Sequence, residues 1–403
     1  MSIKRFPNIS GNPAFYLLLA FLFLIHFSIA GCYIVLTILF PFLLVRLLDR
    51  RPRPKLPVFF WMFVAYAFFT LVSTLFSRDT LNSFKDNKEL LLFLLIPLYL
   101  LILVSGKRVK ISLQVVLLST TLSALLGAAI AFRDIAFRDG LSLDHRLKGL
   151  TSHWMTYAGL LMLPFLFFLI LTLLEKNRRD ALRYGASLAL ILTAILLSLT
   201  RSVWIGIGAA LLVFLLFFKL RWLVPLAAVT VILAFLLPAP VKSRIASIVD
   251  MENRSNRDRF YMAYSAVRIF RDYPLFGVGA NNILKTVGGN PRRYKHPNAD
   301  QINMHLHNNF LQILAERGIF AFLAFTLACG FVLADLLRKM RNSQGAPRDL
   351  AAAVLFTFIG FLVAGLFEYN FGHSQIKFLL FYFLCLPFVR LDGESNDFDP
   401  ENR

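Results

Sequence analysis

Apolar residues along this chain fall in long unbroken runs, not in stripes of helical period. Twelve such segments stand out, at 14–30, 32–48, 57–76, 89–104, 111–132, 154–174, 184–200, 202–219, 222–238, 318–338, 349–367 and 376–390. A run of about 20 apolar residues spans a bilayer core as an α-helix, so the pattern predicts membrane-crossing helices and not a barrel. The first, second and fourth segments are short for a full crossing, and tilt, re-entry or extension by their flanks would accommodate them. Between Pro240 and Gly318 the pattern breaks into one long polar stretch, rich in arginine and much longer than any other polar connection. The expected fold class is therefore all-α and polytopic, with about twelve transmembrane helices and one large loop between the ninth and tenth. Helices 1–9 are expected over residues 1–239, the loop over 240–317, helices 10–12 over 318–390 and a tail over 391–403.

Charge orients this array, because Lys and Arg gather in cytoplasmic connections. With the N-terminus and its Lys4 and Arg5 in the cytoplasm, the basic clusters Arg46 to Lys55, Lys107 to Lys110, Lys176 to Arg183, Lys219 with Arg221, and Arg338 to Arg348 all fall on that side. The opposite side receives balanced connections such as 77–88, where Arg78, Lys85 and Lys88 stand with Asp79 and Asp86, and a turn near Thr200 whose only charge is Arg201. An even number of spans returns the acidic tail, with Glu394, Asp397, Asp399 and Glu401, to the cytoplasm. The 240–318 loop is then external, and it carries twelve Lys and Arg against six Asp and Glu, a net +6. Long loops are exempt from the orientation rule, so this excess asks for another explanation, and an anionic ligand is the simplest.

Composition agrees with the pattern: 58% of residues are hydrophobic, 16% charged and 42 are Phe, far too apolar for a water-soluble domain. The net charge of +20 could suit nucleic acid, but its placement beside apolar spans accounts for it, and no nucleic-acid partner is expected. Cys32, Cys329 and Cys385 lie inside or at the ends of apolar segments and read as small buried hydrophobes, not as a disulfide framework or metal site. Ile29 to Cys32 resembles a lipoprotein processing site, but the equally apolar segment that follows makes it a tight turn between two helices.

Within the loop, Ser255 or Asn256 can cap a helix running to about Tyr273, where Pro274 stops it. Arg257, Tyr261, Tyr264, Arg268 and Arg271 share one face of that helix, while Arg259 lies on another with Ala263 and Phe270. Taken alone, this is an amphipathic helix whose arginines meet lipid head groups. Gly277 and Gly279 mark a flexible turn, like a dinucleotide-binding glycine loop only superficially, since no strand precedes it; no cofactor is expected. Farther on, His305 and His307 precede Asn308, Asn309 and a helix through Gln312 and Glu316. At i and i+2 the histidines share no helical face, and no acidic cluster offers an oxygen cage, so no metal is expected. A neutral imidazole can accept a hydroxyl proton, which makes either one a candidate general base; the plain alternative is a capping or interfacial histidine. Arg201, at the external end of two spans, either snorkels to the interface or offers a planar guanidinium to phosphate oxygens.

Thr200 to Gly206, Arg259 to Tyr264, Asp272 to Gly279 and His307 to Gly318, taken in that order, resemble the bacterial O-antigen ligase superfamily. The match is closest in Tyr273, Pro274, Leu275, Phe276, Gly277, Val278, Gly279 and in His307, Asn308, Asn309, Phe310, Leu311, Gln312 through Glu316, Arg317, Gly318; it covers about the second half of the chain. Arg146 to His153 is similar to that family's loop before the sixth span, although Trp154 and Met155 stand where the family usually has Pro and Asn. The resemblance implies a metal-independent, inverting glycosyltransferase of the Gram-negative inner membrane, with both termini cytoplasmic and the active site periplasmic. It would move an O-antigen glycan from undecaprenyl diphosphate to a sugar hydroxyl of lipid A-core, the last step of lipopolysaccharide assembly. It further implies Arg201 and Arg259 on the donor diphosphate, His307 as the base, and His305, Asn308 and Arg146 among the substrate-binding residues. Donor, acceptor and membrane lipids are the implied partners.

An O-antigen polymerase or a protein O-oligosaccharyltransferase would use the same donor with another acceptor. A transporter of lipid-linked glycans is a third reading. Transporters carry ionisable residues or broken helices near the membrane midplane, whereas here His26 is the only conspicuous midspan ionisable side chain and reads as a packing contact.

Overall fold

The computed structural model describes residues 13–48, 54–137, 146–175, 178–218, 220 and 239–389, and their regular secondary structure is all helical. Among the described residues, seven helices are long and apolar enough to cross a membrane: α2 (Ile29–Leu48), α3 (Val58–Leu75), α6 (Gly106–Phe137), α7 (Trp154–Leu174), α9 (Arg201–Phe218), α14 (Asn309–Asn342) and α15 (Gly345–Ala364). Shorter apolar helices are α1 (Pro13–Leu24), the 184–197 part of α8 (Arg178–Leu197) and α16 (Ser374–Cys385). The chain is thus a polytopic membrane protein. The fourth apolar segment is not one regular helix; a 3-10 stretch over Asn87–Leu94 leads into α5 (Leu95–Ile102), after the short α4 (Thr80–Asp86). The ninth, 222–238, lies outside the described residues, as do Lys4, Arg5, Arg50 to Arg53, Lys176, Lys219, Arg221 and the acidic tail.

The turn expected at Ile29–Cys32 falls instead at Ile25–Ser28. Ser28 Oγ accepts from the Gly31 amide at 3.0 Å and so caps α2, which makes Ile29 to Cys32 its first turn. His26 lies in that same turn, and its ring nitrogens meet the hydroxyls of Ser119 and Thr120, in the middle of α6, at 3.3 and 3.2 Å, a packing contact between helices.

The bundle centres on α7, α15 and α16, and every residue of α16 from Ile376 to Cys385 is buried. Outer helices turn apolar faces outward, such as Phe68, Leu71 and Leu75 on α3 and Leu212, Leu216 and Phe217 on α9, the arrangement lipid favours and water does not. Helix α9 packs on α15 across glycines: a Cβ on Gly206 would lie 2.6 Å from the Gly360 carbonyl oxygen. Close approach of small residues drives helix association where lipid leaves no hydrophobic gain. It also fixes the position of Arg201, at the start of α9.

The polar stretch forms α10 (Ala239–Ala246), α11 (Arg254–Asp272), α12 (Ile283–Gly289) and α13 (Pro291–Tyr294). Its helix α11 is capped by Asn253, whose side chain accepts from Ser255, and not by Ser255 or Asn256. The stretch has a core of its own, with Met262, Ala266 and Ile269 against Val278, Ile283, Val287, Tyr294 and Leu306. Such a unit is invisible in sequence because its few apolar residues are scattered over short helices. Part of the α11 face expected at lipid is covered by the stretch itself, as Tyr261 stacks on His296 at 4.3 Å, while Arg268 stays exposed, 5.1 Å over Tyr264 of the same helix.

The turn after α11, expected to be flexible, is clamped. The amides of Val278 and Gly279 donate to the carbonyls of Ala315 and Glu316 at 3.1 and 2.7 Å, Ile319 donates to Pro274 at 2.9 Å, and Ser73 Oγ to Phe276 at 2.6 Å. Gly277 (φ 65°) and Gly318 (φ 72°) permit this: a Cβ on either would come within 2.4 or 2.2 Å of the opposing backbone. These glycines tie the polar stretch to α3 and to a kink in α14, and so hold the residues before α14 in place.

Candidate active site

Arg201 opens α9, where first-turn N–H groups lack intrahelical partners and the helix dipole is positive. A cation there suits the local field only when an anion joins it. Arg201 is nevertheless buried. Its Nη1 donates to the carbonyl and, at 3.0 Å, the hydroxyl of Ser247, and its buried Nη2 has no hydrogen-bond partner among the described residues. Arg244, buried on α10, donates from Nε to the Leu199 carbonyl at 3.1 Å. Leu199 turns that carbonyl toward it from φ 51°, a left-handed conformation costly for a residue with a Cβ. Arg259, on α11, donates to the Phe367 carbonyl at 3.1 Å and to Ser255 Oγ at 2.9 Å.

Among the described residues, then, Arg201, Arg244 and Arg259 hydrogen-bond to carbonyl and hydroxyl oxygens and to no carboxylate. They crowd one another. Burial first, and then the like charges of Arg201, Arg146 and Arg259, push Arg244 down to about 9, which leaves it charged at neutral pH. Arg146 enters this group from the stretch before α7, its guanidinium 4.8 Å over the Trp154 ring. The departure from the family pattern thus has a local use: Trp154 is the platform for Arg146, and the amide of Met155 donates to His153 Nδ1 at 3.2 Å.

Beside the arginines stands His307, at φ 45°, a second strained position. Its Nδ1 is 2.9 Å from the carboxylate of Glu368, in the short connection between α15 and α16. A carboxylate can only accept, so Nδ1 carries a proton, which in the neutral tautomer leaves the lone pair on Nε2. Burial works to raise the Glu368 carboxyl, but the His307 hydrogen bond and the charges of His307, His373 and Arg259 outweigh it and hold it below the usual carboxylate range. Glu368 is therefore an electrostatic neighbour of both His307 and Arg259, and Arg259 of Arg201. The structure brings Arg146, Arg201, Arg259 and His307 into one site.

Asn308, expected among the substrate-binding residues, caps α14. Its Oδ1 accepts from the amides of Phe310 and Leu311 at 2.9 and 3.0 Å, and its Nδ2 donates to the Leu366 carbonyl at 2.9 Å. Both ends of its amide are engaged in placing His307 at the head of the helix. His305 turns away toward Tyr369, with ring centroids 5.4 Å apart, and burial, then His307, lowers its pKa. Burial likewise lowers His153, and takes His373 down to about 4.

Sequence reasoning passes over Arg244 and Glu368. Nothing distinguishes Arg244 from the other loop cations until its burial is seen. Glu368 did carry a signal, as a lone carboxylate in a short connection with Asn370 and His373. The helices also hold more charge than their sequence pattern suggests. Lys377 in α16 is buried and pairs with Glu89 at 2.7 Å, while Arg317 pairs with Glu316 at 2.7 Å and Asp86 at 3.2 Å.

Residues 186–326 match the family model described as O-Antigen ligase. A protein of Haemophilus influenzae described as uncharacterized is 25% identical over 295 residues, which is 66% of this chain and 69% of that relative. The family match runs from α8 into α14 and includes Arg201, Arg244, Arg259 and His307, with Arg146 and Glu368 outside it. Through residues 186–326, which span α8 to the kink region of α14, the chain is therefore similar to the O-antigen ligase family.

Proposed function

We propose that this protein transfers an O-antigen glycan from undecaprenyl diphosphate to a sugar hydroxyl of lipid A-core, the last step of lipopolysaccharide assembly. In this reading it resides in the inner membrane of a Gram-negative cell, with both termini cytoplasmic and residues 240–317 periplasmic. The observation that carries the reading is the crowding of buried Arg201 and Arg244 with half-buried Arg259, none hydrogen-bonded to a carboxylate among the described residues, beside the His307 and Glu368 pair.

Arg201 and Arg259 bind the diphosphate oxygens, with Arg146 and Arg244 adding positive field. His307 Nε2 takes the proton of the acceptor hydroxyl as that oxygen bonds to the anomeric carbon. The bond from the anomeric carbon to the diphosphate oxygen breaks, and its electron pair leaves with undecaprenyl diphosphate. One displacement inverts the anomeric configuration. Glu368 stabilises the imidazolium, which then releases its proton to water, and Asn308 acts by placing His307. The arginines supply the electrostatic stabilisation of the departing charge, so the scheme calls for no metal. A lipid-linked donor also suits a compartment without nucleotides, since its diphosphate is a ready leaving group.

The test is transfer by purified full-length protein in detergent, with an undecaprenyl diphosphate-linked glycan and lipid A-core. His307→Ala should lower kcat by roughly a hundredfold or more, and Glu368→Gln by about tenfold or more. Unchanged turnover in His307→Ala removes His307 as the base. Product on a second donor glycan instead of lipid A-core identifies a polymerase, product on a polypeptide an oligosaccharyltransferase, and lipid crossing a proteoliposome without product a transporter.

A further inference from the structure

A second group of buried charge borders the dyad, and none of the four arginines belongs to it. A cavity of about 120 Å³ opens against His305, Tyr369 and His373. That is several times the roughly 30 Å³ of one liquid water. Its walls contain both closed charge groups, Lys377 with Glu89 and Arg317 with Glu316 and Asp86. Here Arg317 and Lys377 each already hold a carboxylate, so a diphosphate or any other anion finds no free cation among the lining residues.

The wall nevertheless has unused hydrogen-bonding capacity. Arg317 is 5% exposed and its Nε has no acceptor among the described residues; His305 Nδ1 is likewise buried without a partner. Asn281 is held at φ 57°, its amide donating to Glu316 Oε1 at 2.8 Å. Phe93 and Phe371 complete the lining with aromatic rings. Fixed donors and acceptors beside aromatic surface suit a pyranose, which has hydroxyls around its rim and C–H groups on its faces. Tyr369 connects this cavity to the chemistry: it lines the wall while its amide donates to Glu368 at 3.1 Å.

We propose that this cavity is the acceptor subsite, taking a neutral or amine-bearing sugar, rejecting an acidic or phosphorylated one, and presenting its hydroxyl to His307; this rests on the transfer reaction proposed above. Leu90→Trp tests it, because Leu90 lines the cavity without belonging to its ion pairs. With an undecaprenyl diphosphate-linked glycan and lipid A-core ending in a neutral hexose, the acceptor KM should rise roughly tenfold or more while the donor KM moves less than about twofold. Wild type should also use a core ending in a uronic acid at least about tenfold less well. A melting-temperature shift with inorganic pyrophosphate equal to that of wild type verifies folding, and Leu90→Phe replaces the variant if Trp is not tolerated. An unchanged acceptor KM, an equal loss for donor and acceptor, or equal use of the two cores overturns the subsite. Normal transfer by His307→Ala would instead overturn the reaction scheme, whatever Leu90→Trp does.

Discussion

Two groups of charge flank His307 and Glu368, and they are built on opposite terms. On one side, among the described residues, Arg201, Arg244 and Arg259 hydrogen-bond only to carbonyls and hydroxyls. On the other, Arg317 and Lys377 are matched to carboxylates. A buried ion pair is complete in itself, whereas crowded cations raise the free energy of the empty protein until an anion arrives. In the proposed reaction the first group is therefore the socket for a charged ligand and the second a finished wall. The largest effect should come from emptying the socket. Arg201→Ala and Arg259→Ala should each lower kcat/KM for the lipid-linked donor by about a hundredfold or more. Arg201→Lys should recover little of that, because one ammonium cannot reproduce two guanidinium edges. Steady-state rates against donor concentration decide it; full recovery by Lys would reduce the socket to a general positive patch.

The next effect contrasts the two sides directly. Arg244→Met removes one of four crowded cations, so the unliganded protein should melt at the same temperature or higher while the donor KM rises about tenfold. Inorganic pyrophosphate, which stabilises wild type in proportion to its affinity, should raise the melting temperature of this variant less. Arg317→Met should do the reverse and lower the melting temperature by several degrees, because it strands Glu316 and Asp86. Equal destabilisation by both variants would erase the distinction between socket and wall.

How much of this is legible in sequence follows from what each feature depends on. A bilayer demands long apolar runs, so the helices containing Phe68, Phe165 or Phe356 declare themselves one residue type at a time. The start of α2 does not, because it depends on which small residue caps it, and Ser28 does so where Ile29 to Cys32 looked like the turn. Gly277 and Gly318 are conspicuous in sequence, yet their meaning is tertiary: each fits the backbone of the other's segment. Arg201, Arg259 and His307 can be named from family resemblance. Arg244 cannot, since burial beside Arg201 leaves no local trace, and Glu368 shows in sequence only as a lone carboxylate whose hydrogen bond to His307, 61 residues away along the chain, is tertiary.

The smallest effect is a pH dependence belonging to the wall side. His373 lies 3.5 Å from the Thr156 hydroxyl and faces Glu368, His305, Lys377 and His153. Burial dominates, and it holds the ring at about 4 against an ordinary 6.5. Above pH 6.5 the ring is neutral folded or unfolded and contributes no slope. As pH falls from 6.5 toward 4, the unfolded chain takes up a proton that the folded one refuses, so stability declines. His153 and His305 are lowered too and act with the same sign. Glu368 has the opposite kind of shift for a carboxyl, held below its ordinary 4.5, so its contribution is lost only at still lower pH. The arginines do not titrate in this range. The melting temperature should therefore fall between pH 6.5 and 5, and His373→Gln should flatten that fall, whereas Arg244→Met should leave its slope unchanged. A wild-type profile flat over this range would mean that water reaches these rings, and that the wall is open where the socket is closed.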